Sequence, residues 1–207
     1  MSHAAPPRSP IGTRIAIIGN TSAGKSTLAA RLARALDAPF VELDALNFEP
    51  GWRALAEHDP HEFVRRVREA TQGDAWVVAG GYQSLTQDLY WDRLHTVIWL
   101  DPPLQRVLPR VLSRSWRRWR SKELLWGTNY ERFWPQLRFW GPDSLLWYAV
   151  TTQRRKHDAT IAAMADPRWS HIRFLRLTSF AEVDAFVAGV ERSVAPRAAA
   201  PTTEEAR

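Results

Sequence analysis

The feature that most constrains the fold is a glycine-rich turn joining an apolar strand to an amphipathic helix near the start of the chain. Residues 14–18 read RIAII, as expected of a strand buried on both faces, and residues 25–36 carry leucines at helical spacing. The turn between them, residues 19–26, reads GNTSAGKS. A strand that passes through such a turn into a helix is typical of parallel sheets, so this unit predicts a chain of the α/β class.

The alternation of short β-type runs with helical patterns continues along the chain. Four further strands are predicted at 40–43, 76–79, 96–100 and 171–177. Further helices are predicted to begin at Asp59, at Asp101, at about Pro142 (to about Met164) and at Ser179. Five strands separated by helices predict a five-stranded parallel sheet flanked by helices, with right-handed crossovers.

The length of 207 residues is that of one domain, which is predicted to span residues 13–192 with a lid or insert at about 104–141. Residues 1–12 and 193–207 are rich in Ala and Pro and have no periodicity. Both ends are therefore expected to be disordered tails.

Composition excludes several classes of protein. The chain has no cysteine, which excludes a disulfide scaffold, a zinc ribbon and thiol catalysis. No apolar run approaches about 18 residues and the first residues lack a secretory segment, so a cytoplasmic protein without a membrane partner is expected. The net charge of +6 indicates anionic partners. Most of the basic residues are arginines, however, and an excess of arginine can also follow from genomic base composition.

The turn at 19–26 fits the pattern G-x-x-x-x-G-K-S, in the strand–helix context that gives this pattern its meaning. Glycines allow successive amides to converge on a phosphate, and the N-terminus of the next helix is directed at the same anion. Lys25 is expected to contact the β and γ phosphates, Ser26 to ligate Mg²⁺ and Thr27 to meet the α-phosphate. The predicted nucleotide-binding residues are Gly19, Asn20, Thr21, Ser22, Ala23, Gly24, Lys25, Ser26 and Thr27.

Several segments together resemble a known group of proteins. The segments GNTSAGKSTLAARLARAL, VELDALNFEPGW, WVVAGGYQS and TVIWLDPP, with an arginine-rich helix after them, are similar to small P-loop kinases of the adenylate kinase-like set. The most similar branch is labelled DNA topology modulation protein, or adenylate kinase-related ATP-binding protein. The resemblance implies a P-loop NTPase fold, ATP and Mg²⁺ as cofactors, and transfer of the γ-phosphate to a small hydroxyl compound such as a nucleoside or nucleotide.

Residues of an acceptor site follow the second and third strands, where ligands of open α/β sheets bind. Asp44 is the predicted acceptor-binding residue and catalytic base, a role that the resemblance implies, with an Asx turn as the alternative. Trp52 could form an aromatic wall or a core plug. Gly80 and Gly81 could bring backbone amides to the acceptor or form a plain turn, and Tyr82 could donate a hydrogen bond to it.

One position departs from the pattern of the resembling kinases. They commonly have Asp at the position of Ala79, where it organises Mg²⁺ through water. The metal is therefore expected to depend on Ser26 with Asp44, with Asp101 or with waters alone. Asp101 could equally be the N-cap of the helix that follows it.

Six arginines and no acidic residue occur between 106 and 120, interleaved with tryptophans. Phosphoryl transfer requires neutralisation of charge, so a helical lid rich in Arg and Trp is predicted, with Arg114, Arg117 and Arg118 as catalytic residues. The cluster also suits a solvated face, or nucleic acid bound through 106–120. The alternatives to a kinase are thus a nucleotide-dependent DNA-binding regulator and a partner-dependent ATPase, each as a monomer or homodimer.

Overall fold

The fold is that of a computed structural model, which describes residues 11–137 and 144–194. Most of both predicted tails lies outside the described residues, as does the predicted start of a helix at Pro142. Within the described part, Ile11 is buried and the last helix extends to Val194. The described residues thus extend two residues beyond each end of the predicted domain of 13–192.

A five-stranded parallel sheet forms the centre of the molecule. Its strands are β1 (Arg14–Gly19), β2 (Phe40–Glu42), β5 (Trp76–Ala79), β6 (Thr96–Leu100) and β9 (Arg173–Leu177). Their order across the sheet is β2-β5-β1-β6-β9, and every neighbouring pair is parallel. This sheet confirms the predicted α/β class and five parallel strands. The apolar strand β1 lies at its centre and is buried on both faces.

Eight α-helices and two short hairpins are described within 11–137 and 144–194. The helices are α1 (Lys25–Ala35), α2 (Leu43–Asn47), α3 (Leu55–His58), α4 (Pro60–Ala70), α5 (Gln83–Tyr90), α6 (Leu104–Ser121), α7 (Leu145–Ala165) and α8 (Phe180–Val194). The antiparallel hairpins are formed by β3 (Phe48–Glu49) with β4 (Arg53–Ala54), and by β7 (Leu124–Leu125) with β8 (Asn129–Tyr130). Among the described residues, none of the helices is both long and apolar enough to span a membrane.

Two apolar cores lie on opposite faces of the sheet because alternate side chains of a strand point to opposite sides. Ile15 and Ile17 of β1 pack with residues of α1 and α8, whereas Ala16 and Ile18 pack with residues of α4, including Phe63. The result is a sandwich of three layers, with helices on both faces of the sheet. Its carboxyl edge, where β1 and β2 end, carries Gly19 and Glu42.

The tryptophans divide between the core and the surface. Trp76, Trp91, Trp99 and Trp169 are buried beneath the sheet and its helices. Trp116, Trp119 and Trp134 form an exposed aromatic cluster around Phe133, at the end of α6. Four tryptophans thus serve core packing, and three others form a surface.

The helix that carries the arginines begins later than predicted. Its first residue is Leu104 and its cap is Pro103, so the prediction that Asp101 caps this helix is wrong. The Asp101 carboxylate instead accepts two hydrogen bonds from Arg176 of β9, at 2.5 and 3.0 Å. Pairing of β6 with β9 places these two side chains together at the edge of the sheet.

Two glycines of the turn after β1 provide a test of its packing. Both Gly19 (φ 141°) and Gly24 (φ 98°) have left-handed backbones, but a Cβ on Gly19 would lie 2.2 Å from the Leu100 carbonyl oxygen, whereas one on Gly24 would meet open space. We expect Gly24→Ala to cost about 1 kcal/mol of backbone strain. We expect Gly19→Ala to cost at least about 3 kcal/mol, because the clash is with the backbone of a central strand. Urea denaturation followed by tryptophan fluorescence measures both, and equal losses would contradict this packing.

Candidate active site

The loop from Gly19 to Lys25 curls around its own lysine. Ser22 adopts φ 53°, between the two left-handed glycines at 19 and 24. The Lys25 ammonium donates to the backbone oxygen of Asn20, 2.8 Å away. The lysine is therefore held over the loop that the motif predicts to bind phosphates.

Charge of both signs surrounds Lys25. The pKa of Lys25 is lowered to about 8, mainly by burial and also by the positive charges of Lys156 and Arg114, whereas Asp44 and Glu42 oppose the shift. Five charged side chains from five different elements thus interact at one place. Of these, Lys25, Asp44 and Arg114 were predicted from the sequence, and Glu42 and Lys156 were not.

Glu42 is the carboxylate that contacts the predicted metal ligand. The Ser26 hydroxyl donates to one Glu42 oxygen at 2.5 Å, and the indole N–H of Trp126 donates to the other at 3.0 Å. Glu42 pairs in register with Ala79, the position at which the resembling kinases have Asp. A carboxylate on the strand beside Ala79 thus reaches Ser26. The only signal for this role in the sequence is that Glu42 lies two residues before Asp44.

The donors beside the loop suit a hard cation. A hydroxyl and a carboxylate are the kind of ligand that Mg²⁺ takes, and Mg²⁺ usually keeps several waters and binds phosphate oxygens besides. Within residues 11–137 and 144–194, no group of three or more acidic or histidine side chains could hold a metal by itself. Ser26 and Glu42 therefore fit a cation that enters together with a phosphate.

Asp44 lies in the first turn of α2 and is oriented by Tyr82. The Tyr82 hydroxyl donates to Asp44 at 2.8 Å and accepts a hydrogen bond from Asn47 at 3.0 Å. Burial, together with the charge of Asp44, raises the pKa of Tyr82 well above its usual range. Tyr82 thus remains a proton donor, and in this structure it contacts Asp44, whereas the sequence suggested a contact with the acceptor.

The glycine pair after β5 has two different surroundings. A Cβ on Gly80 would lie 2.6 Å from the Leu43 side chain, so this position is closed by packing. A Cβ on Gly81 would lie 3.8 Å from the Lys156 ammonium, and Gly81 is exposed. Gly81 can therefore approach a ligand, while Gly80 allows α2 to pack on the sheet.

Lys156 projects from α7 toward the same place. Its ammonium lies 4.3 Å from the centroid of the Tyr148 ring, and burial lowers the pKa of Lys156 to about 8 against the opposing charge of Asp44. It lines a cavity with residues of the loop, of the Gly81 turn and of α7, among them Asn20, Gly81, Gln153 and Thr160. A half-buried ammonium at the edge of a cavity is suited to bind an anion.

The predicted lid arginines have three different environments. Burial and the charge of Arg118 lower the pKa of Arg114, and Glu131, Asp44 and Glu42 oppose this shift, so Arg114 lies within the charge cluster. Arg118 lies 3.5 Å from Glu123 and 3.9 Å from Glu131, in ion pairs within the lid. Arg117 is exposed. The structure thus brings Arg114, but not Arg117, to Lys25 and Asp44.

Trp52 joins residues 48–54, called here the acceptor loop, to the hairpin of β7 and β8 at residues 124–130, called here the lid hairpin. Its backbone N–H donates to Asn129 at 2.8 Å, and its indole N–H donates to the Tyr130 carbonyl at 2.9 Å. Its ring meets Phe48 and Trp126 edge to face. Trp52 is therefore part of a contact between two loops rather than a plug of the central core.

Comparisons with known proteins bear on the fold of the chain. No protein-family profile matches the chain. The chain is 34% identical to a shikimate kinase of Corynebacterium efficiens over 119 residues, a match that covers 50% of this chain and 66% of that protein. With the sheet order and the loop after its central strand, this gives the chain a fold of the small P-loop kinase type.

Solved structures with a similar course of the chain include two kinases. One is the shikimate kinase of Acinetobacter baumannii in complex with shikimate, at 18% identity and a TM-score of 0.49, covering 88% of this chain and 92% of that one. The other is a gluconokinase of Sinorhizobium meliloti 1021, also at 18% identity and a TM-score of 0.49, covering 91% and 97%.

The lowered pKa of Lys25 predicts a pH dependence of nucleotide binding. Below pH 8 the ammonium is charged and ADP affinity should be constant, whereas above pH 8 affinity should fall by up to about tenfold per pH unit as the free lysine loses its proton. The terminal phosphate of ADP is already ionised in this range. Calorimetric titration between pH 7 and 10 measures the effect.

Two variants assign this effect to one lysine. Lys25→Met should bind ADP weakly and without the pH dependence. Lys156→Met should keep the dependence but move its midpoint to higher pH, since the charge of Lys156 lowers the pKa of Lys25. A dependence that disappears in Lys156→Met and persists in Lys25→Met would contradict the assignment.

Proposed function

We propose that this protein is an ATP-dependent kinase that transfers the γ-phosphoryl group to a hydroxyl of a small acceptor. The observation that carries the proposal is the convergence of Lys25, on the loop after β1, with Asp44, on the helix after β2, whose charges act on each other. A phosphate-binding lysine and a carboxylate at one edge of the sheet are the pair that such a transfer needs.

In the proposed reaction, Asp44 takes the proton of the acceptor hydroxyl while that oxygen bonds to the γ-phosphorus. The bond from this phosphorus to the bridging oxygen of the β-phosphate breaks, and ADP leaves. Lys25 and Arg114 neutralise the charge on the transferred group. When bound beside Ser26 and Glu42, Mg²⁺ supplies further positive charge to the phosphate oxygens.

The acceptor is proposed to be a small hydroxy acid. Lys156 lies beside the exposed Gly81 and interacts with Asp44, so an acceptor whose hydroxyl meets Asp44 can place an anionic group on this ammonium. The relative of 34% identity is a shikimate kinase, which is consistent with an acceptor of this class. A nucleoside acceptor, which carries no anionic group, has no comparable support among the described contacts.

An ADP-release assay over matched acceptors tests this function. Hydroxy acids should support ATP-dependent ADP release, and the corresponding amides should support much less, because an amide offers no charge to Lys156. Lys156→Met should lose the preference for the acid over the amide. Release that no hydroxyl compound stimulates would reject the kinase, whereas equal use of acids and amides would reject only the acidic acceptor.

A second function, binding of single-stranded nucleic acid, is favoured by the exposed aromatic cluster on the lid. Trp116 and Trp134 are 43% and 62% exposed, and arginines of α6 flank them. Aromatic faces bind bases and cations bind phosphates, so such a surface suits single strands. This activity would accord with the branch labelled DNA topology modulation protein.

Asp44→Asn should lower kcat by roughly 10²–10⁴, the range associated with a positioned base, and should leave the KM for ATP within a few-fold. The amide keeps the volume and can still accept the Tyr82 hydrogen bond, so packing should be preserved. Steady-state kinetics with a saturating acceptor measures the change. Retained turnover with lost ATP binding would place Asp44 beside the metal instead.

Arg114→Gln and Arg117→Gln separate catalysis from nucleic-acid binding. Arg114→Gln should lower kcat by about 10²–10³ with little change in the KM for ATP, because the interaction strengthens in the transition state. Arg117→Gln should leave kcat within about twofold, since Arg117 is exposed.

If the lid binds single strands, Arg117→Gln should weaken retention of an oligonucleotide and reduce its salt dependence, as measured by fluorescence anisotropy. A loss of kcat in Arg117→Gln alone would overturn this assignment.

A further inference from the structure

The lid hairpin and the acceptor loop are joined at residues that do not themselves meet the nucleotide. Asn129 of β8 accepts from the Trp52 backbone N–H at 2.8 Å and donates to the Glu49 carbonyl at 3.0 Å. Asn129 is buried at this junction. The hairpin is therefore docked on the acceptor loop by both ends of one amide side chain.

The turn of this hairpin is shaped to present Trp126. Trp126 has φ 50° and Gly127 has φ 76°, and Thr128 closes the turn by donating to the Leu125 carbonyl at 3.0 Å. A left-handed backbone at a bulky aromatic residue is uncommon and requires support from its surroundings. Here the support comes from two rings: Phe48, stacked on Trp126 with centroids 5.6 Å apart, and Trp52, edge to face with centroids 5.8 Å apart.

The indole ring of Trp126 packs on Phe48 and Trp52, while its N–H is directed at Glu42. Its N–H donates to one carboxylate oxygen of Glu42, while the other oxygen accepts the Ser26 hydroxyl. A glutamate has three rotatable side-chain bonds, so a single hydrogen bond to Ser26 would leave its free oxygen able to rotate. The second donor removes this freedom and fixes the plane of the carboxylate.

We infer that Trp126 is a positioning residue: it holds Glu42 toward Ser26, so that the part of nucleotide binding that depends on Mg²⁺ requires the hairpin to be docked on the acceptor loop. The inference rests on the proposed function for the presence of the metal. It adds that a residue of the lid, attached to the loop that meets the acceptor, sets the geometry of the metal ligands.

The test compares ADP affinity with and without Mg²⁺ by calorimetry, which needs no acceptor and no turnover. The wild-type protein should bind ADP more tightly with Mg²⁺, and this gain is the quantity to follow. Trp126→Phe keeps a ring on Phe48 but loses the N–H, and its gain should be about tenfold smaller, as for one lost hydrogen bond to a charged group. Its affinity for ADP without Mg²⁺ should not change.

Two further variants decide between alternatives. Phe48→Leu removes the stacking partner of Trp126 but keeps the indole N–H, and should retain most of the gain. Glu42→Gln should lose the gain almost completely. A full gain in Trp126→Phe or in Glu42→Gln, an equal loss in Phe48→Leu, or no gain in the wild type would each overturn the inference. Failure of the kinase proposal would appear separately, as normal ADP binding without phosphoryl transfer.

Discussion

The arrangement of the site depends on the parallel pairing of the strands around β1. Because parallel strands end at the same edge of a sheet, the residues after β1, β2, β5 and β6 lie close together although they are far apart in the sequence. Gly19, the last residue of β1, packs closely on the Leu100 carbonyl, and this close approach fixes where the loop begins. Glu42 and Asp44 then reach Lys25, and Gly81 reaches the cavity beside the loop, because their strands are in register with β1 or its neighbour.

This edge concentrates charge at a cost to the folded protein. The lowered pKa values of Lys25 and Lys156 mean that the protein would be more stable with these amines neutral. With folded pKa values near 8 and unfolded values above 10, the two lysines reduce stability at neutral pH, and the reduction diminishes as the pH rises toward 10. Anionic ligands would offset this cost of burying positive charge, so the charge that disfavours the empty site favours the occupied one.

Much of the fold could be predicted from the sequence, because apolar runs and helix signals are local. The five strands and the loop at Gly19 follow from such local patterns. Glu42 was missed because its role depends on the lateral order of the strands, which sets it beside Ala79, and no local pattern states that order. Arg114 could not be distinguished from Arg117 by spacing, since burial against Glu131 and Asp44 depends on how α6 packs. Lys156 and Trp126 come from distant segments that only the tertiary fold brings to the site.

Position 20 shows how the wider structure restricts a residue that the motif itself leaves open. The Asn20 amide donates to the Ala149 carbonyl and to Gln153 on α7, and its oxygen accepts from the Thr21 N–H. The helix that carries Lys156 is thereby bonded to the loop that carries Lys25. A side chain without donor groups would lose both bonds to α7, and one without an acceptor would lose the bond to the Thr21 N–H, so this chain can be expected to tolerate little variation at a position where the general motif accepts any residue.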